Sequence, residues 1–85
     1  MQKPNADVFR RELLMMLKQA KDGGMAYLDI RSGDLHRKVG GYPDRNHAMP
    51  TCCEVMRSIQ GYQMEELPGG PPKGKGATLM IRYYL

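Results

Sequence analysis

SGDLHRKVGGYPDRNHAMPTCCEVMRSIQGYQMEELPGGPPKGKGATLMIR, residues 32–82, carries two short helical segments followed by two strands. Ser32 is a natural helix N-cap, and Gly33 to Val39 follow as a short helix with an i, i+4 contact between Leu35 and Val39. Gly40-Gly41 ends that helix, and Tyr42 to Asn46 has the composition of a turn. The next helix passes through Val55, Met56 and Ile59 and stops at Gly61. Its start admits three readings. Asn46 could cap it, Pro50 could be the first helical residue behind a non-helical Met49, or Thr51 and Glu54 could form a capping box.

Tyr62 to Leu67 then reads as a strand with Tyr62 and Met64 on one face. Residues 77–85 alternate, with Leu79, Ile81 and Tyr83 opposed to Thr78, Met80, Arg82 and Tyr84. Between the strands lies Pro68-Gly69-Gly70-Pro71-Pro72-Lys73-Gly74-Lys75-Gly76, too rich in proline and glycine for a helix or a sheet interior.

Upstream, Asn5 can cap a helix whose Phe9, Leu13, Met16, Leu17 and Ala20 fall on one face, with Gly23-Gly24 as the stop. Leu14 and Met15 flank that stripe. Met25 to Arg31 alternates, Ala26, Leu28 and Ile30 against Met25, Tyr27, Asp29 and Arg31, as a minor strand at a sheet edge would. Residues 1–5 are expected to fray, and 6–85 to form a single domain.

At 85 residues the chain has room for one small core, which Leu, Ile, Val, Tyr and eight Met must fill because Trp is absent and Phe occurs once. The formal charge of +4 favours anionic partners. After Glu66 no acidic residue occurs, while Lys73, Lys75 and Arg82 remain. Cys52 and Cys53 are adjacent, a spacing too strained for a common disulfide, so both are expected as reduced thiols. The N-terminus lacks the apolar core of a signal peptide, and no apolar run approaches a membrane span. The expectation is a soluble, cytoplasmic chain with no membrane partner.

Enzymatic readings are poor. Gly69 to Lys75 has much of the spacing of a phosphate-binding loop, but Gly76 stands where Ser or Thr is needed and a strand follows instead of a helix. Adjacent cysteines do not match the usual spacing of structural zinc ligands with His36 or His47, and Cys52 or Cys53 beside Val55 reads as a small core residue. No catalytic residue, metal or cofactor is expected.

A binding role fits better. A helix of this size can enter the major groove, and its outward side chains offer candidate base contacts: Thr51, Glu54, Arg57 and Ser58, with His47 just ahead of the helix. Candidate phosphate contacts are Arg37, Lys38, Arg45, Lys73 and Lys75. A hairpin that only turns needs about two to five residues. Residues 68–76 are nine, with Lys73 and Lys75 as the sole charges and glycines that permit close backbone approach to phosphates.

The order helix, strand, helix, helix, strand, loop, strand resembles the winged helix-turn-helix superfamily, an α+β fold of three helices with a small antiparallel sheet and a basic wing. The segments SGDLHRKVGGYP (32–43), MPTCCEVM (49–56) and PPKGKGATLMIRYYL (71–85) are also similar to a family of short, uncharacterised bacterial proteins. The superfamily resemblance implies binding of double-stranded DNA, with 50–60 as the reading helix and 68–76 as the wing, in a small regulator or accessory subunit that is often a homodimer. The alternative is a protein–protein interaction module, dimerising through its first helix or last strand with Leu14, Met15, Tyr83 and Tyr84 exposed.

Overall fold

The structure is a computed structural model that describes residues 5–40, 48–68, 76 and 78–85. Its elements run in the order α1 (Ala6–Asp22), β1 (Tyr27–Arg31), α2 (Ser32–Val39), α3 (Met49–Ser58), β2 (Gln63–Glu66) and β3 (Met80–Tyr84). The class is α+β, three helices with a three-stranded antiparallel sheet.

Helix α1 starts where its sequence says it should. Asn5 has extended backbone angles, and its Oδ1 accepts the Val8 amide at 3.0 Å, while Asp7 sits at the positive end of the dipole. Phe9, Leu13, Leu17 and Ala20 are buried, and Met16 is half-buried against them. Gly23-Gly24 closes the helix, the Gly23 amide donating to the Gln19 carbonyl and the Gly24 amide to the Lys21 carbonyl.

The sheet has the order β1-β3-β2, so the last strand in sequence is the middle one in space. Ile30 pairs with Ile81 and Leu28 with Tyr83 across β1 and β3, and Met64 pairs with Tyr83 across β2 and β3. Of the alternation expected of residues 77–85, the described part, 78–85, holds: Leu79, Ile81 and Tyr83 are buried under the helices. Tyr83 is fully buried, and its hydroxyl donates to the Met56 carbonyl at 2.7 Å. That carbonyl lies in the last turn of α3, where no amide follows to satisfy it. The exposure expected of Tyr83 is therefore corrected: residues two apart share a face, and Tyr83 continues the face of Leu79 and Ile81. Tyr84, on the opposite face, is exposed.

Three helix boundaries also differ from expectation. Ser32 is the first residue of α2, not its cap; Arg31 holds the cap position with no side-chain bond. The Ser32 hydroxyl instead donates to the Gly76 carbonyl at 2.6 Å. Helix α3 begins behind Ala48, with Pro50 in the first turn, and Thr51 is already helical. None of the three starts read from the sequence applies as written, although Pro50 does sit where its missing N–H is harmless. The helix ends at Ser58, because Ile59 is extended, and Gly61 takes φ +91° in the turn that follows.

His36 fastens α2 to the start of α3. The ring is fully buried, packs edge-on against Phe9 with centroids 4.9 Å apart, and accepts the Ala48 amide at Nε2 at 2.7 Å. A ring accepting at Nε2 carries its proton on Nδ1. The imidazole thus satisfies an amide at the head of α3 that would otherwise be orphaned.

Candidate nucleic-acid interface

Helix α3 presents Pro50, Glu54, Arg57 and Ser58 to the outside and keeps Thr51 half-buried, while Met49, Cys52, Cys53, Val55 and Met56 face the core. The helical period dictates this division: 49, 52, 53 and 56 fall on one side, and 54 and 58 lie opposite. Of the residues proposed for base contact, Glu54, Arg57 and Ser58 thus share the outward surface. Their setting differs from the simple picture in two ways.

First, Arg57 is engaged. Its Nε donates to Glu66 Oε1 at 2.8 Å, joining α3 to β2. The bond lowers the Glu66 carboxyl below its ordinary value and raises the Arg57 guanidinium. Second, Thr51, Glu54 and Ser58 line a shallow cleft of about 250 Å³ together with Ala6, Arg10 and Val55. Arg10 there is held by Asp7 at 2.8 Å. The outward surface of α3 therefore carries Glu54 near its centre, with cations to either side already paired.

On α2, Arg37 and Lys38 are exposed in the last turn. Arg37 lies 3.6 Å from Asp34, a surface contact of little energetic weight. His47 and Arg45, in the connection between α2 and α3, and Lys73 and Lys75, in the loop between β2 and β3, lie outside the described residues.

What the structure does describe is the base of that loop. Gly76 is a hub: its carbonyl accepts the Ser32 hydroxyl at 2.6 Å and the Cys53 thiol at 3.5 Å. Next to it, the Ser32 amide donates to the Leu79 carbonyl at 2.8 Å, and the Cys52 thiol reaches the Ser32 carbonyl at 3.5 Å. The returning arm of the loop is thus tied to the first residue of α2 and to the middle of α3 at once. Both cysteines are buried, and burial pushes the Cys52 thiol up to about 12. A thiol so placed is a packing group and a weak donor.

Sequence reasoning missed this anchor because Ser32 looked like a cap and the cysteines like plain filler. The only signal was the unusual adjacency of Cys52 and Cys53, two small donors on neighbouring positions of one helix. It also missed the outer face of the sheet. There Arg82 forms a two-pronged pair with Asp29 at 2.8 and 3.1 Å and lies 4.2 Å over the Tyr27 ring. Tyr84 donates to Glu65 at 2.8 Å on the same face.

No helix among the described residues is long and apolar enough to cross a membrane. Comparison with family models, curated proteins and solved structures returns no match for the chain.

Proposed function

We propose that this chain is a winged helix-turn-helix domain that binds double-stranded DNA without catalysis, as a small regulator or accessory subunit. The observation that carries this reading is the Gly76 hub, set in a sheet of order β1-β3-β2. Gly76, which closes the nine-residue lysine-bearing loop, is bonded to the first residue of α2 and to α3, so the base of that loop is joined to the α2–α3 pair. Such a unit can place a helix and a loop on the duplex in a fixed relation.

The chemistry favours backbone contact over base reading. Phosphate contacts position a protein, and base contacts specify its sequence. Lys38 and Arg37 on α2, with Lys73 and Lys75 on the loop and Arg45 between the helices, supply the neutralising charge. On α3 the one cation, Arg57, is turned to Glu66. Thr51 and Ser58 offer hydroxyls to phosphate or base edges and Glu54 an acceptor to a cytosine amine, with His47 a further candidate read from the sequence. The expected behaviour is broad, weakly sequence-selective binding.

The test is a gel shift of random duplex at low salt with wild type and with Lys73→Ala/Lys75→Ala. The proposal expects the wild type to shift and the double variant to bind at least tenfold more weakly, since two phosphate contacts are lost. Equal binding by both proteins removes the loop from the interface. No shift at low salt removes DNA as the partner.

A further inference from the structure

The sheet has two outer edges, and they are not alike. On β1 the bonds from Leu85 to the Ala26 carbonyl and from the Ser32 amide to the Leu79 carbonyl fix the ladder's phase. In an antiparallel pair the bonding residues alternate, so Leu28 and Ile30 also point their backbone groups at β3. Tyr27, Asp29 and Arg31 therefore direct their N–H and C=O groups away from the sheet. Among the described residues nothing pairs with that edge.

Natural edges are usually guarded by charge, proline or a bulge. The β2 edge is guarded: it is four residues long and ends in Glu65-Glu66. Two copies meeting there would bring their Glu65 carboxylates together, each held by a neutral Tyr84 hydroxyl, while Glu66 is paired with Arg57. The β1 edge contains no proline, glycine or lysine, and its pattern is complementary to itself.

We infer that β1 is a homodimerisation edge, pairing antiparallel with β1 of a second copy about a two-fold axis at Asp29. In this register Tyr27, Asp29 and Arg31 of each copy donate to and accept from Arg31, Asp29 and Tyr27 of the other, the phase their free backbone groups require. The product is a continuous sheet, β2-β3-β1-β1-β3-β2. Three side-chain relations favour the register. Tyr27 faces Arg31 of the second copy, so its ring, covered on one side by its own Arg82, receives a second cation. Leu28 faces Ile30 of the second copy on the helix side. The two Asp29 carboxylates meet, but each is already neutralised by a two-pronged Arg82, so the axis brings together two ion pairs, not two bare charges.

This edge differs from the routes suggested by sequence. β3 is the middle strand with both edges occupied, so the last strand cannot pair edge to edge, and Tyr83 is buried. The inference is independent of the DNA reading and is tested without DNA.

The variant Arg31→Pro removes an outward N–H and adds a ring at the edge. Arg31 has φ −93° and ψ 137° and donates nothing to the β3 ladder, so the monomer should tolerate the change. In sedimentation the wild type should approach twice the 9.6 kDa chain mass as concentration rises, while Arg31→Pro stays at that mass with an unchanged circular dichroism spectrum. As a second arm, Asp29→Cys should cross-link into a dimer on mild oxidation because directly paired Cα atoms lie about 5.5 Å apart. Glu65→Cys on β2 should not. Wild type that remains monomeric throughout, Arg31→Pro that still dimerises, or Glu65→Cys cross-linking as fast as Asp29→Cys would overturn the inference.

Discussion

At the residue scale, single buried polar atoms join elements that apolar packing alone would leave free to slide. Tyr83 is the clearest. Its ring is wholly buried, and its hydroxyl satisfies the Met56 carbonyl at the end of α3. Tyr83→Phe keeps the packing and orphans that carbonyl, and should cost about 1–2 kcal/mol in urea unfolding. A loss below about 0.3 kcal/mol would mean that water replaces the bond.

Burial also sets an alkaline limit. It raises the Tyr83 phenol above its ordinary 10.0 and the Cys52 thiol from 9.0 to about 12. Both groups are harder to ionise folded than unfolded, so their contribution to stability is complete below the ordinary values and is lost as pH rises through the folded ones. Thermal melts should hold steady up to about pH 9 and fall steeply beyond it. For the same reason a thiol reagent at neutral pH should label the cysteines only as fast as the chain opens.

At the scale of elements, the junction of α2, α3 and the β2–β3 loop governs the proposed interface. Ser32→Ala leaves α2 its cap residue, Arg31, and removes the hydroxyl from Gly76. The expected result is a stability loss of about 1 kcal/mol, with a larger relative loss of DNA affinity because the loop's returning arm is released. Affinity unchanged within error would separate the loop anchor from binding. The Arg57–Glu66 pair gives an opposite prediction. Glu66→Gln removes an acid beside the interface and frees a cation on α3, so DNA affinity should rise a few-fold at low salt. The fold should lose less than about 1 kcal/mol, since both side chains are substantially exposed.

Periodicity made most of these elements legible in advance. The α1 stripe, the alternation over 78–85 and the Asn5 cap all appear in the structure as read. What periodicity does not encode is which carbonyl a serine will choose. Ser32 has two competing uses, as a cap or as a tertiary donor, and only the approach of Gly76, distant in sequence, decides between them. The start of α3 was obscured similarly. The Ala48 amide at its head is served by His36, a side chain on another helix, and Thr51 is already inside the helix. Strand order was also hidden: adjacency in sequence puts β3 last, while the sheet puts it in the middle.

At the scale of the whole molecule, one buried cluster runs from Phe9 through Leu35 and Cys52 to Ile81 and Tyr83, so all three helices rest on the sheet. Its opposite face carries the Asp29–Arg82 pair, and on the helix side the Arg57–Glu66 pair ties α3 to β2. Asp29 lies below its ordinary 3.8 because Arg82 bonds it, and Glu66 below its ordinary 4.5 because Arg57 does. Carboxyls depressed in this way stabilise the fold above their ordinary values and lose that contribution as pH falls through the folded ones. An acid titration followed by circular dichroism should therefore show the fold weakening below about pH 4. Asp29→Asn should flatten that limb, and an unchanged limb would remove Asp29 from the acid response.

The overall charge balance bears on partner choice more directly than any single residue. If Arg37, Lys38, Arg45, Lys73 and Lys75 each neutralise a phosphate, log K should fall with log salt at a slope of about −4.5, several hundred-fold between about 50 and 200 mM. The decisive measurement is fluorescence anisotropy of a labelled random duplex titrated with the chain across that salt range. DNA binding through these residues predicts the steep line, shallower by about 2 for Lys73→Ala/Lys75→Ala; a flat response, or no binding at the lowest salt, would contradict it.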